Sequence, residues 1–348
     1  MNYCRLTCLL FTFPSVSAAA IQIDGTLDDG PSGYGPAVAV QAVPTGFGDA
    51  SASNGLGGGG ELNAAYAKVE NGRLNVLITG NIENNFNKLS VFIDSRPGGE
   101  NTLSSAPAYD FENISQNLAG MTFDKGFDAD FHLYARWGSF TGNVFTVDLV
   151  DRNNGSSTIF GNGDSASSGT GTAIQSGTIN PGDNGLGSTG VGETRNLTPF
   201  LSQSVPFGFN NTNTGGIGPL PPAATPLPAE MGAALSVTTG FEFSIALADL
   251  AGSGGQLHDA IDLHVAYGNP NHNFHSNQIL GSLPLGTGNL GGNGNGSFTG
   301  NLSGIDFSEF AGDQYFSVPL PPSAALIPEP GVGLALLGGL ALRRRRFR

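Results

Sequence analysis

Short runs in which apolar and polar residues alternate dominate this chain. Arg73 to Thr79 places Leu74, Val76 and Ile78 on one face, and Lys88 to Asp94 does the same with Leu89, Val91 and Ile93. Successive side chains of a strand point to opposite sides, so a period of two predicts strands buried on one face. Asp130 to Trp137 divides into Phe131, Leu133, Ala135 and Trp137 on one face and Asp130, His132, Tyr134 and Arg136 on the other. Phe241, Phe243, Ile245 and Leu247 repeat the pattern over Gly240 to Leu247, as do Ile261, Leu263, Val265 and Tyr267. Further strands are expected at Ala37 to Val43, Leu62 to Val69, Val144 to Val150 and Gln314 to Val318. Asn71-Gly72 is a two-residue hairpin signal, and Gly142-Asn143 marks a second turn. Only Ala246 to Leu250 reads as a turn of helix within the body. The expected fold class is all-β: a jelly-roll-like β-sandwich with long Gly/Asn/Ser-rich loops, plus a short C-terminal transmembrane helix.

Residues 151–235 lack this periodicity. They are rich in Gly, Ser, Asn and Pro and end in Pro219-Leu220-Pro221-Pro222 and Pro226-Leu227-Pro228. A stretch of that length reads as a long insertion between strands of one sandwich, or as the linker between two small domains.

The ends differ from the body. Arg5, the apolar run Leu6 to Phe13, the helix-breaking Pro14 and the small residues Ser15 to Ala20 read as a signal peptide over 1–20, cut after Ala18 or Ala20. At the other end, Ile327-Pro328-Glu329-Pro330 precedes Gly331 to Leu342, which carries no charged or polar side chain, and Arg343-Arg344-Arg345-Arg346-Phe347-Arg348 follows. Twelve helical residues span about 18 Å, short of a hydrocarbon core of about 30 Å. The arginines favour a cytoplasmic end. The organisation expected is a leader at 1–20, a body at 21–318 with its insertion at about 151–235, a Pro-rich linker at 319–326 and a tail at 327–348.

The tail closely resembles the PEP-CTERM sorting signal, which an exosortase recognises and processes in Gram-negative bacteria. That resemblance implies a sorting role for Pro328, Glu329, Pro330, Arg343, Arg344, Arg345 and Arg346. The opening Ile23-Asp24-Gly25-Thr26-Leu27-Asp28, followed by Tyr34, resembles the start of DOMON-like and family 9 carbohydrate-binding β-sandwiches. Thr79 to Leu89, Phe92 to Ser95 with Gly98 to Asn101, and Ser276 to Gln278 with Gly312 to Phe316 are similar to a recurring architecture among uncharacterised PEP-CTERM proteins. The resemblance implies a fold and an address.

Composition and charge narrow the chemistry. The net charge is −14, but the leader and tail hold six of the 14 basic residues, leaving a body with eight basic and 27 acidic residues. No Lys or Arg occurs from Asn196 to Leu342. Such a surface repels phosphate backbones and disfavours nucleic acid. Cys4 and Cys8 are the only cysteines, and both fall in the leader, so the body has neither a disulfide nor a thiol nucleophile. No G-x-S-x-G elbow, P-loop or dinucleotide fingerprint is present, and no catalytic residue is assigned.

Candidate sites remain. Asp94, Glu100 and Asn101 flank a Gly-rich turn where clustered oxygens suit calcium, and where turn chemistry alone also accounts for them. Asp124, Asp128 and Asp130 are clustered without the spacing of an EF-hand loop. His258, His264, His272 and His275 fall close together without a zinc-protease pattern, as loop histidines or a transition-metal site. Tyr34, Tyr66, Tyr109, Tyr134 and Trp137 are either sugar-stacking platforms or core aromatics. The expected protein is an exported, non-catalytic structural or adhesive component of the cell surface or matrix. Its partners would be an exosortase and the export machinery, with transient membrane association through the tail. An extracellular polysaccharide-binding module and a secreted glycoside hydrolase are the alternatives.

Overall fold

The structure is a computed structural model that describes residues 21–28, 33–47, 59–106, 114–139, 143–153, 156–162, 174–181, 200–219, 227–281 and 283–321. The expected leader, the sorting signal and the apolar C-terminal helix lie outside these residues. Among the described residues no helix is long and apolar enough to cross a membrane.

Two antiparallel sheets make up the body. The first has the order β1-β2-β3-β10-β9-β8. Its strands are β1 (Ala39–Val40), β2 (Glu61–Glu70), β3 (Arg73–Asn81), β8 (Ile174–Ile179), β9 (Val205–Asn210) and β10 (Gly240–Ala246). The second has the order β12-β11-β4-β5-β6-β7. It is built from β4 (Lys88–Asp94), β5 (Phe131–Ser139), β6 (Asn143–Asp151), β7 (Ser156–Asn162), β11 (Ala260–Gly268) and β12 (His275–Leu280). The last strand, β13 (Phe316–Pro319), pairs with the first half of β11, while β12 pairs with its second half. Among the described residues the α-helices are α1 (Ile114–Leu118), α2 (Leu227–Leu235) and α3 (Leu247–Ala251).

The alternating residues pack between the sheets. Leu74, Val76 and Ile78 of β3 and Phe241, Phe243 and Ile245 of β10 share one cluster with Leu89, Val91 and Ile93 of β4 and Phe131, Leu133 and Trp137 of β5. Phe145 on β6 stacks on Phe209 of the opposite sheet, with ring centroids 4.4 Å apart. Asn71 and Gly72 adopt φ of 52° and 72°, the left-handed turn that closes the β2–β3 hairpin in register.

Part of each outer face is covered as well. Residues 100–106 and 114–129, together with 283–310, lie over the second sheet. They bring Leu103, Met121, Phe123, Phe127, Leu302 and Phe307 against Phe92, Tyr134, Ala266 and Ile279. The Thr102–Thr122 bridge closes the first segment on itself, and the Thr122–Asp306 bridge joins it to the second. On the first sheet, the N-terminal segment sets Ile21, Leu27, Tyr34 and Ala37 over Ala64, Tyr66 and Leu77.

The stretch read as an insertion is part of this frame. Between residues 151 and 235 it supplies β7 to the second sheet, β8 and β9 to the first, and α2. In β9, Val-Pro-Phe-Gly-Phe breaks the alternation with Pro206 and Gly208, yet Phe207 and Phe209 still reach the core. Gly208 is required there, because a Cβ would lie 2.6 Å from the backbone of Asp24.

Candidate functional site

The carboxylates gather at the C-terminal end of β4. Asp94 closes that strand and faces Asp262 of β11 in register. Its Oδ2 accepts from the Asp128 amide at 2.8 Å, and its Oδ1 lies 3.3 Å from Nε2 of His258. Burial pushes Asp94 up to about 7, the charges of Asp130 and Asp262 adding to the rise against the Asp128 amide and His258. Asp262 is raised too, again chiefly by burial. A carboxyl that changes charge near neutrality beside a half-exposed imidazole can hold and exchange a proton.

Its neighbours are committed to structure. Asp130 accepts from the amides of Ser95 at 2.7 Å and Arg96 at 2.8 Å, and from Ser95 Oγ at 3.0 Å. The Arg96 guanidinium lies over the Phe131 ring at 4.6 Å and reaches Asp151 at 3.2 Å. Glu100 receives Nε and Nη2 of the buried Arg152 at 2.8 and 2.5 Å. Asn101 turns its Nδ2 toward the carbonyls of Asp124 and Phe127 at 3.0 and 2.9 Å. Asp94, Glu100 and Asn101, grouped by sequence as calcium ligands, therefore serve three different partners. Asp124 caps the Lys125 amide at 2.6 Å, and Asp128 is exposed. Among the described residues no group of three or more His, Cys, Asp or Glu side chains is placed to hold a metal ion.

The histidines form a layer. His132, His264, His272 and His275 are all buried on the outer side of the second sheet, whereas the His258 side chain is 44% exposed. Ser90 Oγ sits 2.9 Å from Nε2 of His132 and 3.0 Å from Nε2 of His272. One hydroxyl proton can serve only one of these nitrogens, so the other imidazole donates through Nε2 and the two rings are opposite tautomers. His264 donates from Nδ1 to the Gln314 carbonyl at 2.8 Å, 4.7 Å from the Phe307 ring and 5.0 Å from Phe123. Burial lowers His264 to about 3 and His275 to about 4, and drives His132 and His272 well down, with Lys88 and Arg152 adding to the effect at His132. These are neutral imidazoles in a closed layer.

A third polar centre holds the N-terminal strap. Glu242, in the middle of β10, accepts from the amides of Asp24 and Gly25 at 2.8 Å each and from the Tyr34 hydroxyl at 2.5 Å. Burial raises Glu242 to about 7 against these donors. Gly25 has φ of 79°, and a Cβ there would stand 2.6 Å from the Asn210 nitrogen. The Ile-Asp-Gly opening is thus a strap fitted onto β9 and β10.

The aromatics named as sugar platforms are core residues. Tyr34, Tyr66, Tyr134 and Trp137 are buried, Trp137 edge-on to Phe209 at 6.4 Å. Tyr109 lies outside the described residues. Sequence reasoning missed His132 as a member of the histidine layer, and it missed Glu242. The signal for His132 was its place opposite an apolar face. For Glu242 it was a lone charge between Phe241 and Phe243. No family model, no curated protein and no solved structure matches the chain.

Proposed function

We propose that the chain is an exported, non-catalytic structural or adhesive module of a bacterial surface or matrix, delivered by exosortase sorting of its tail. The observation that carries this reading is the tripartite sequence Pro328-Glu329-Pro330, Gly331 to Leu342 and Arg343 to Arg346. The body supports it. The two sheets share one apolar core, and the buried carboxylates of Asp130 and Glu242 each take several backbone and side-chain donors, cross-links that need no disulfide. The short apolar stretch enters a bilayer only with tilt or thinning, and the arginines hold it there for a membrane enzyme.

Mass spectrometry of the protein from its native host tests the sorting step. The expected C-terminus lies near Pro328 to Pro330, with no peptide from Val332 to Arg348. Recovery of the intact tail in surface protein overturns it. Replacing Arg343 to Arg346 by Ser should impair retention. Specific capture by extracellular polysaccharide would move the body to the binding-module reading. Turnover of a glycoside panel, abolished by Asp94→Asn, would move it to the hydrolase reading.

A further inference from the structure

Ile21 is held at its backbone nitrogen by a carboxylate. That nitrogen lies 3.4 Å from Oε1 of Glu70. The other oxygen of Glu70, Oε2, is 3.1 Å from the ammonium of Lys68, which also donates to the Gly33 carbonyl at 3.1 Å. The next amide, of Gln22, donates to Asp28 at 2.6 Å. The Ile21 side chain packs, partly buried, on the cluster of Tyr34, Ala64, Tyr66 and Leu77. Glu70 stands at the end of β2, fixed by the Asn71-Gly72 turn. The surroundings are acidic: Glu242, Asp28 and Glu70 all act on Tyr34, and Asp24 acts on Glu242.

We propose that the leader is cut at the Ala20–Ile21 bond and that the α-ammonium released on Ile21 pairs with Glu70. This rests on the reading of the chain as exported. Ala18-Ala19-Ala20 puts small residues one and three places before the bond, as a leader cut needs. Water hydrolyses the peptide bond, the carboxylate leaves with Ala20, and the Ile21 amine takes up a proton. The N–H that already faces Glu70 becomes a charged donor, and charge-assisted hydrogen bonds are the stronger kind. A cut after Ala18 would leave two residues ahead of Ile21, each adding about 3.3–3.6 Å of chain, and would carry the ammonium away from Glu70. Of the two cuts that the sequence allows, only the one after Ala20 places the ammonium at Glu70.

The test exports the full chain in a bacterial host and reads the N-terminus of the extracytoplasmic product by mass spectrometry. The amine is then acylated near pH 7 in the wild type, in Glu70→Gln and in a recombinant chain starting at Ala19. The expected product begins at Ile21, and its terminus labels roughly two- to fivefold faster in Glu70→Gln, the range a part-exposed ion pair supports. The chain starting at Ala19 should label at the faster rate with Glu70 in place, which keeps the test sound if Glu70→Gln folds poorly. Equal rates in all three overturn the pairing. An exported product with another N-terminus overturns the cut and leaves the exported reading standing, whereas a cytoplasmic product with its leader intact sinks both.

Discussion

Replacing His264 by Asn should make stability less sensitive to acid. Nδ2 of Asn takes nearly the place of Nδ1 of His, so the donor to the Gln314 carbonyl is kept while the titrating ring is removed. At pH 7 the variant should lose about 1–3 kcal/mol, because the ring packs against Phe307 and Phe123 and its loss leaves a gap. The pH dependence follows from linkage. His264 is held neutral down to about 3, below its ordinary 6.5. Its contribution is therefore complete above pH 6.5 and is lost as pH falls from there toward 3, because the unfolded chain takes up a proton that the folded one refuses. The loss amounts to roughly 2–3 kcal/mol by pH 4.5. Asp94 and Glu242, both raised to about 7, have the opposite sign, with stability gained as pH falls from 7 toward the ordinary carboxylate range. They are common to both proteins and cancel in the difference. Urea unfolding at half-unit steps from pH 7.5 to 4.5 measures that difference. The wild-type advantage should shrink by about 2–3 kcal/mol and vanish or reverse at the acid end. Parallel curves would refute a neutral, buried His264.

Gly25→Ala should cost about 1–3 kcal/mol in the same assay, since the residue needs a positive φ and its Cβ would meet the backbone of Asn210 and Gly240. An unchanged midpoint would show that the strap yields. Glu100→Ala should cost about 3–5 kcal/mol by leaving the buried Arg152 charge uncompensated, with the same loss in EDTA and in millimolar Ca²⁺. A loss seen only with calcium present would restore the metal reading. Reductant should leave the melting temperature of residues 21–321 unchanged, because no cysteine lies among them.

What could be read from the sequence depended on whether alternation met a solvent boundary. Strands β3, β4, β5 and β10 were plain, because Leu74 to Ile78 and Phe131 to Trp137 alternate without interruption. The second sheet is covered on both sides, so Tyr134, Ala266 and Ile279 are as buried as the inner residues, and the polar-looking face of β5 is a second core. That is why His132 and His264 looked like surface residues. Strand β12, His275-Ser276-Asn277-Gln278-Ile279-Leu280, carries four polar residues in a row, every one buried, and no propensity rule finds it. The Asp94 turn was visible, but its partners come from far along the chain, Asp262 from β11 and His258 from the loop before it.

The strap and the sheets also order events in time. Asp24 finds Glu242 across 218 residues, β3 waits for β10, and β4 waits for β11. A chain made from its N-terminus must therefore emerge past residue 240 before β3 meets β10, and past residue 260 before β4 meets β11. Contacts this remote slow folding, since loop closure comes before any reward. Until then only neighbours in sequence can pair, β1 to β3, β4 to β7 and β8 with β9, and a lone two-stranded hairpin such as β8–β9 is marginal in water. The two sheets thus close over their shared core only when most of the chain has been made.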